Sequence, residues 1–164
     1  MGLEQSINQK ALLGKRAEDL SNLIEQQTQP IFDSLGIIVP IKSCSTLLSL
    51  LELEQASLVD ISKELGQSHQ LVKQKIPKLI KLGLVQQHSD KEDKRRTLYS
   101  LTNKGEEQSH KIKEYLKESA ALVDSISEEI GVHIFGSIDK AIKAIEGKSL
   151  WERFNGGPQV TTRK

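Results

Sequence analysis

A glycine-containing turn between two short helical stretches is the feature of this sequence that most constrains its fold. The first stretch follows Ser57 and ends at Leu65-Gly66, where the glycine can adopt the left-handed conformation that caps a helix. The second stretch begins after Ser68, whose hydroxyl can accept an amide hydrogen of the first helical turn. The sequence therefore predicts two helices joined by a tight turn.

The second of these helices has two distinct faces and is predicted to extend to Leu82 and stop at Gly83. Its apolar residues fit one buried stripe: Leu71, Val72, Ile76, Leu79, Ile80 and Leu82. Its remaining residues are polar or basic: His69, Gln70, Lys73, Gln74, Lys75, Lys78 and Lys81. A short helix, a turn and a helix with an exposed polar half form the helix-turn-helix arrangement, in which the second helix enters the major groove of DNA.

Pro77 lies inside this second helix. Proline removes one backbone hydrogen bond and costs about 3 kcal/mol in an undisturbed helix interior. We predict one kinked helix and not two separate elements. The helix also carries no arginine, which disfavours the common paired contact to guanine and leads to the hypothesis of A·T-rich or shape-based recognition.

A charged hairpin follows the helix pair. Residues 84–88 and 97–102 have strand character, and a charged turn from Ser89 to Lys94 joins them. An acidic residue two positions before an arginine can hold the guanidinium by a two-pronged hydrogen bond, so we predict that Asp93 orients Arg95 toward a minor groove. For Arg96, a phosphate contact and packing against the wing both remain open. The competing interpretation is a solvated surface ion pair worth roughly 0 to 1 kcal/mol.

The charge distribution agrees with a nucleic-acid-binding centre. The whole chain has a net charge of only +1, but ten basic and five acidic residues lie between Leu58 and Lys104. This segment therefore carries +5 and the rest of the chain −4. A basic module between acidic flanks is suited to binding phosphates with one face.

Both flanks of this module have helical periodicity. Apolar residues three or four positions apart from Leu3 to Ile31 predict an amphipathic helix, broken at Pro30 and again at residues 36–40. A further helix is predicted for residues 41–53. After a cap at Thr102 or Asn103, an apolar stripe continues to residue 145, and Gly131 together with a start signal at residues 125–129 predicts two helices there.

The predicted fold class is mainly α with a small β-hairpin wing, a winged helix-turn-helix flanked by N- and C-terminal dimerisation helices. Four parts are expected: an N-terminal dimerisation helix and connection (1–40), the winged helix-turn-helix domain (41–104), C-terminal dimerisation helices (105–154) and a mobile tail with little apolar content (155–164). The terminal apolar stripes are too long to be buried against one small winged domain, which favours a homodimer.

Three segments together resemble the MarR family of bacterial transcription regulators: residues 58–66, residues 79–85, and Asp93-Lys94-Arg95-Arg96 with residues 101–105. The close match covers residues 47–105. The resemblance implies a homodimeric repressor that binds a pseudo-palindromic operator in double-stranded DNA, with half-sites ~34 Å apart. It also implies release of the DNA by a small aromatic or phenolic effector or by an oxidant.

Under this resemblance, Gln70 and Gln74 are candidates for base edges, Ser68 and Lys73 for phosphates, and His69 for either. The wing adds a second group of candidate DNA-binding residues: Asp93, Lys94, Arg95 and Arg96. The competing interpretation of the helix residues is an ordinary solvated face. A winged helix that binds another protein is the alternative function, because such a domain need not keep Lys73 and the wing cations together.

The sequence lacks the motifs that are typical of other functional classes. The sequence has no nucleophile elbow, phosphate-binding glycine loop or zinc-protease signature, so no enzyme or cofactor is expected. The four histidines lack metal-ligand spacing, and packing is a better explanation of Cys44 than redox sensing. Trp151 and Phe154 are expected to anchor the C-terminal segment. No run of about 18 apolar residues and no secretory signal are present, so a cytoplasmic protein without a membrane partner is expected.

Overall fold

The computed structural model of the chain describes residues 9–156, which are mainly helical with one small antiparallel sheet. The helices are α1 (Leu13–Leu35), α2 (Cys44–Leu53), α3 (Leu58–Leu65), α4 (His69–Lys81), α5 (Asn103–Ile130), α6 (Ile134–Gly147) and α7 (Leu150–Gly156). The strands are β1 (Gln55–Ala56), β2 (Val85–Ser89) and β3 (Thr97–Leu101). Short 3-10 helices, Gln9–Leu12 and Ile41–Ser43, precede α1 and α2. The predicted fold class, mainly α with a β wing, is confirmed.

Helix α1 continues through Pro30, so the predicted break at this residue is wrong. Thr28 and Phe32 on either side of Pro30 are buried, and their packing holds the helix together despite the missing amide donor. The helix ends instead at Gly36, which has a left-handed φ of 64°. The predicted start of this helical pattern, at Leu3 and Ile7, lies outside the described residues.

The predicted helix-turn-helix is present as α3, a short turn and α4. Gly66 has a φ of 59°, and the Ser68 hydroxyl accepts a hydrogen bond from the Leu71 amide at 3.3 Å. Helix α4 is one element that includes Pro77, as predicted. Its buried residues are Val72, Ile76 and Leu79. The sequence pattern predicts a buried Leu71, but this residue is 43% exposed, because it lies in the first turn, toward the edge of the buried stripe.

The wing is a three-stranded sheet and not the predicted two-stranded hairpin. The strand order is β1-β3-β2, and the β2–β3 register extends from Val85 opposite Leu101 to Ser89 opposite Thr97. The added strand β1 pairs Gln55 with Ser100 and Ala56 with Tyr99. Two residues are too short for a recognisable alternation of apolar and polar side chains, which explains why the sequence pattern missed β1.

The chain forms two compact units, divided after Glu114. The core of the first unit joins residues from α1 through the start of α5. Its fully buried apolar side chains include Phe32, Leu47, Leu50, Ile61, Val72, Leu79, Leu84 and Ile112. The winged helix-turn-helix therefore shares one core with α1 and with the first turns of α5.

The second unit begins at Tyr115 and contains the rest of α5 with α6 and α7. The predicted helix start at residues 125–129 is wrong, because α5 continues to Ile130. It ends there, before Gly131 with its left-handed φ of 67°, and α6 begins at Ile134. His133 then caps α6: its Nδ1 accepts the Gly136 amide at 3.0 Å.

Helix α7 includes Asn155 and Gly156, which the sequence pattern assigns to the tail. The remaining predicted tail, residues 157–164, lies outside the described residues. Within α7 the rings of Trp151 and Phe154 stack with their centroids 6.4 Å apart. Both side chains are exposed within the chain, at 73% and 81%, so anchoring of the C-terminal segment by these residues stays a prediction.

Gln108 on α5 joins the connection after α1 to the core of the first unit. Its side chain is only 4% exposed. The Oε1 atom accepts the Ile38 amide at 2.8 Å, and the Nε2 atom donates to the Gly36 carbonyl at 3.0 Å. One buried amide thus satisfies a donor and an acceptor of a segment that belongs to no helix or strand.

Replacing Gln108 by Leu should destabilise the protein by about 1–2 kcal/mol, because the part-buried Ile38 amide loses its partner and the Gly36 carbonyl keeps only the 3.5 Å contact with Lys111 Nζ. Chemical denaturation followed by circular dichroism measures the free energy of unfolding. The exposed neighbour Glu107, replaced by Leu, serves as the control and should change this free energy by less than about 0.5 kcal/mol. Equal effects of the two substitutions would contradict this role of Gln108.

Candidate nucleic-acid interface

The predicted helix residues share the exposed first half of α4. Ser68, His69, Gln70, Lys73 and Gln74 are all exposed, because the buried stripe of α4 faces the core. The Ser68 hydroxyl accepts the Leu71 amide and retains its own hydrogen for donation. The face thus offers amide groups, an imidazole, a hydroxyl and a cation to a ligand.

Lys75 lies apart from this exposed face. Its Nζ donates to Gln67 Oε1 at 2.9 Å, which links α4 to the turn before it. Burial lowers the pKa of Lys75 from its ordinary value, because desolvation penalises the charged amine. Lys75 therefore stabilises the helix-turn-helix and contributes less to the exposed cationic surface than Lys73.

The wing loop is held by its own backbone and by two aspartates. The Asp90 amide donates to the Arg96 carbonyl, and the Arg96 amide donates to the Asp93 carbonyl, both at 2.9 Å. The Asp93 carboxylate accepts the Arg95 backbone amide at 3.0 Å. This corrects the prediction that the Asp93 carboxylate accepts hydrogen bonds from the Arg95 guanidinium. In a turn, an aspartate carboxylate readily accepts the backbone amide of the residue two positions later. Lys94 and Arg95 are exposed at the loop.

Arg96 turns away from the loop surface toward the start of α3. Its Nη2 donates to Asp60 Oδ2 at 2.5 Å and to Ser57 Oγ at 3.4 Å. Its Nη1 lies 3.9 Å from Asp90 Oδ2. These contacts support the packing alternative for Arg96 over the phosphate contact, and they extend it to a helix outside the wing.

The partner of Arg96 is itself part of a capping box. Ser57 Oγ accepts the Asp60 amide at 3.3 Å, and Asp60 Oδ2 accepts the Ser57 amide at 2.9 Å and the Ser57 hydroxyl at 2.7 Å. These bonds from Ser57, and then the bond from Arg96, lower the pKa of the Asp60 carboxyl from its ordinary value. Asp60 is therefore ionised at neutral pH.

A groove of about 540 Å³ lies between the start of α3, the start of α4 and the wing. Its lining includes Ser57, Asp60, His69, Arg95 and Arg96. The site prediction omitted Ser57 and Asp60. The S-x-x-D capping signature was present in the sequence, but it does not reveal a partner 36 residues away.

The Thr102-to-Gly105 segment fixes the wing against the end of α4. The Thr102 hydroxyl donates to the Gly83 carbonyl at 2.6 Å and accepts the Gly105 amide at 3.1 Å. The Thr102 amide donates to the Leu84 carbonyl at 3.1 Å. Of the two predicted caps of α5, Thr102 therefore makes the bond, and it also ties the return strand to the turn before β2.

Cys44 lies at the start of α2 with its Sγ 3.7 Å from the Pro40 carbonyl oxygen. Burial raises the pKa of the thiol to about 12. A thiol with so high a pKa contains almost no thiolate at neutral pH, and the thiolate is the reactive form. This environment supports a packing role.

Cys44 should therefore resist modification by a thiol reagent at pH 8 in the native protein. Its reaction should be slower than that of the same protein in denaturant by at least about a hundredfold, because both access and ionisation are suppressed. The rate of thionitrobenzoate release measures this ratio. Native and denatured rates within a few-fold of each other would contradict the assignment.

Residues 9–156 contain no group of three or more His, Cys, Asp or Glu side chains placed to hold a metal ion. Within the same residues, no helix has both the length and the apolar character needed to cross a membrane.

Comparison with known proteins agrees with this geometry. Residues 47–105 match a family described as a winged helix DNA-binding domain. The fold is similar to the heme sensor protein PefR from Streptococcus agalactiae in complex with heme, with a TM-score of 0.59 and 15% identity over 85% of this chain and 96% of that one. No curated protein sequence matches the chain.

Two further solved structures have the same fold. The reduced form of MarR from E. coli has a TM-score of 0.56 and 16% identity, covering 81% of this chain and 95% of that one. NMB1585, a MarR family regulator from Neisseria meningitidis, has a TM-score of 0.54 and 18% identity, covering 86% and 96%. Residues 47–105 thus match a winged-helix domain, and the chain is similar in fold to MarR-family regulators, which confirms the predicted resemblance.

Proposed function

We propose that this protein is a transcription regulator that binds a pseudo-palindromic operator in double-stranded DNA as a homodimer and represses by covering a promoter. The observation that carries the proposal is the placement of two exposed groups in one compact unit: the polar first half of α4 and the cationic wing tip with Lys94 and Arg95. Helix and wing are the two elements with which such domains contact a major and an adjacent minor groove.

The side chains of α4 suit A·T-rich sequences. Glutamine can form a paired contact with the N6 and N7 atoms of adenine, and Gln70 and Gln74 lie one helical turn apart on the exposed face. Ser68 and Lys73 provide donors for phosphates, and His69 can contact either a base or a phosphate. Arg95 would add a guanidinium that suits the narrow minor groove of A·T-rich DNA.

We propose that the exposed apolar residues of the second unit are buried against a second copy of the chain. These residues are Leu116, Leu122, Val123, Ile126, Ile130, Val132, Phe135, Ile138, Ile142, Ile145, Leu150, Trp151 and Phe154. An apolar surface of this extent is unusual for a soluble monomer. Light scattering after size exclusion should give twice the chain mass of 18.3 kDa. A monomer at micromolar concentration would contradict a stable homodimer.

The DNA-binding proposal is tested by selecting fragments of the source genome with the purified protein and measuring their affinity at several salt concentrations. Contacts to six to ten phosphates would reduce the affinity about 10³- to 10⁵-fold between 50 and 200 mM salt. A selected motif with two-fold symmetry and a steep salt dependence are the expected results. Failure to enrich any fragment, or a flat salt response, would favour the alternative of a protein-binding winged helix.

A small aromatic or phenolic effector that releases the DNA completes the proposal. Its support is that the heme sensor PefR, crystallised with heme, has the same fold. A competition assay with the selected fragment and a panel of aromatic acids, phenols and heme tests this part. A reporter gene placed behind the selected operator tests repression: expression should fall when the protein is supplied.

A further inference from the structure

The internal bonds of the wing loop set its shape but do not fix its position. Residues 91–96 are all exposed. The backbone bonds from Asp90 to Arg96 and from Arg96 to Asp93, and the bond from the Arg95 amide to the Asp93 carboxylate, begin and end within the loop. The β2–β3 pairing fixes the base of the loop as far as Ser89 and Thr97. Beyond these residues, a loop with internal bonds alone would be able to swing relative to α3 and α4.

Arg96 supplies a bond that leaves the loop. One guanidinium connects the carboxylate of Asp60 on α3, at 2.5 Å, with the carboxylate of Asp90 at the start of the loop, at 3.9 Å. Because the guanidinium is planar and has several donors in fixed directions, it restricts orientation as well as distance.

Asp60 is a fixed partner for this bond. The same Oδ2 atom that binds Arg96 also accepts the Ser57 amide and the Ser57 hydroxyl. The next residue, Ile61, is fully buried in the core. A carboxylate held in this way cannot follow the arginine if the loop swings, so the link resists movement of the loop.

We propose that Asp60 is a positioning residue for DNA binding: by holding Arg96 it fixes the wing loop relative to the start of α4 and so determines where Arg95 meets the minor groove. This inference rests on the proposed function. It assigns to the α3 capping box a role in DNA recognition besides helix stability, through a residue that does not itself touch DNA.

Two substitutions and their combination test the link. Asp60→Asn preserves size and removes the charge, and it should weaken binding to the selected fragment about three- to tenfold, because the loop must then be ordered during binding. Arg95→Ala should cost less affinity in the Asp60→Asn background than in the wild type, since an unpositioned arginine contributes less. A purely structural effect on α3 would leave the two effects additive.

Two further variants separate positioning from helix capping. Ser57→Ala removes the capping hydroxyl and its contacts with Asp60 and Arg96 but keeps the Asp60–Arg96 ion pair. It should lower the melting temperature while reducing the Arg95 effect less than Asp60→Asn does. Asp60→Glu keeps the negative charge, and glutamate is a usual residue at this position of a capping box. Its affinity for the selected fragment should therefore lie between those of Asp60→Asn and the wild type. If Asp60→Asn does not fold, Arg96→Gln breaks the same bond from the wing and should show the same coupling.

Amide relaxation measured by NMR tests the inference without DNA. The order parameters of residues 91–96 should fall in Asp60→Asn, while those in the core of α4 should stay unchanged. Additive affinity losses together with unchanged loop order parameters would overturn the positioning role. A wild-type protein that binds DNA through Arg95 but shows no coupling to Asp60 refutes this inference alone, whereas a wild-type protein that enriches no DNA refutes the proposed function.

Discussion

Gly105→Ala should destabilise the protein by about 3 kcal/mol, the upper part of the range for overpacking a tight core. A Cβ atom at this position would lie 2.0 Å from the Leu84 carbonyl oxygen and 3.3 Å from Leu101 Cβ. The nearer neighbour is backbone, which cannot rotate aside as the end of a side chain can. The junction between the wing and α5 would therefore have to open.

Urea denaturation followed by circular dichroism measures this effect. Gly14→Ala is the matched control, because Gly14 lies in α1 and a Cβ atom added there would have no neighbouring atom within 4 Å. Gly14→Ala should raise the free energy of unfolding by no more than about 1 kcal/mol. A Gly105→Ala protein with a free energy of unfolding within about 1 kcal/mol of the wild type would contradict the tight junction.

Arg95→Ala should reduce affinity for the selected operator fragment at least about fivefold at physiological salt, since loss of one groove contact costs about 1–3 kcal/mol. The fold should be unaffected: Arg95 is exposed, and its backbone bond to Asp93 does not require the arginine side chain. Fluorescence anisotropy gives the affinity, and the melting temperature checks the fold.

Lys91→Ala provides the comparison for Arg95, because Lys91 is an exposed cation on the same loop. It should lower affinity less and mainly through the salt-dependent part of binding. If the two substitutions had the same small effect, Arg95 would contribute only general charge and not a groove contact.

Local signals in the sequence predicted the helix-turn-helix well. Gly66 takes the predicted left-handed conformation, Ser68 caps α4, and Thr102 caps α5. Each of these features depends on residues three or four positions apart, so it can be recognised from spacing alone. Pro77 was also compatible with a continuous α4, because Ile76 and Leu79 on either side are buried in the core.

The features that the sequence missed depend on distant partners. Strand β1 forms because Gln55 and Ala56 pair with β3, which lies more than forty positions later in the sequence. The Arg96 guanidinium donates to the carboxylate of Asp60, which lies 36 positions earlier in the sequence. Asp93 had two possible donors, the side chain and the backbone amide of Arg95, and spacing could not distinguish them. Pro30 was misjudged because its effect on α1 is offset by burial of Phe32, which is a tertiary contact.

One face of α4 packs in the core and the other is exposed, so the exposed residues can be exchanged separately from the buried ones. Val72, Ile76 and Leu79 anchor the helix, whereas Gln70, Lys73 and Gln74 contribute little to the core because they are exposed. Under the proposed function, exchanging the exposed residues for those of another regulator should therefore transfer its DNA preference at almost no loss of stability. The same separation would then let natural variants acquire new operators through a few surface substitutions, while the buried residues of the helix stay unchanged.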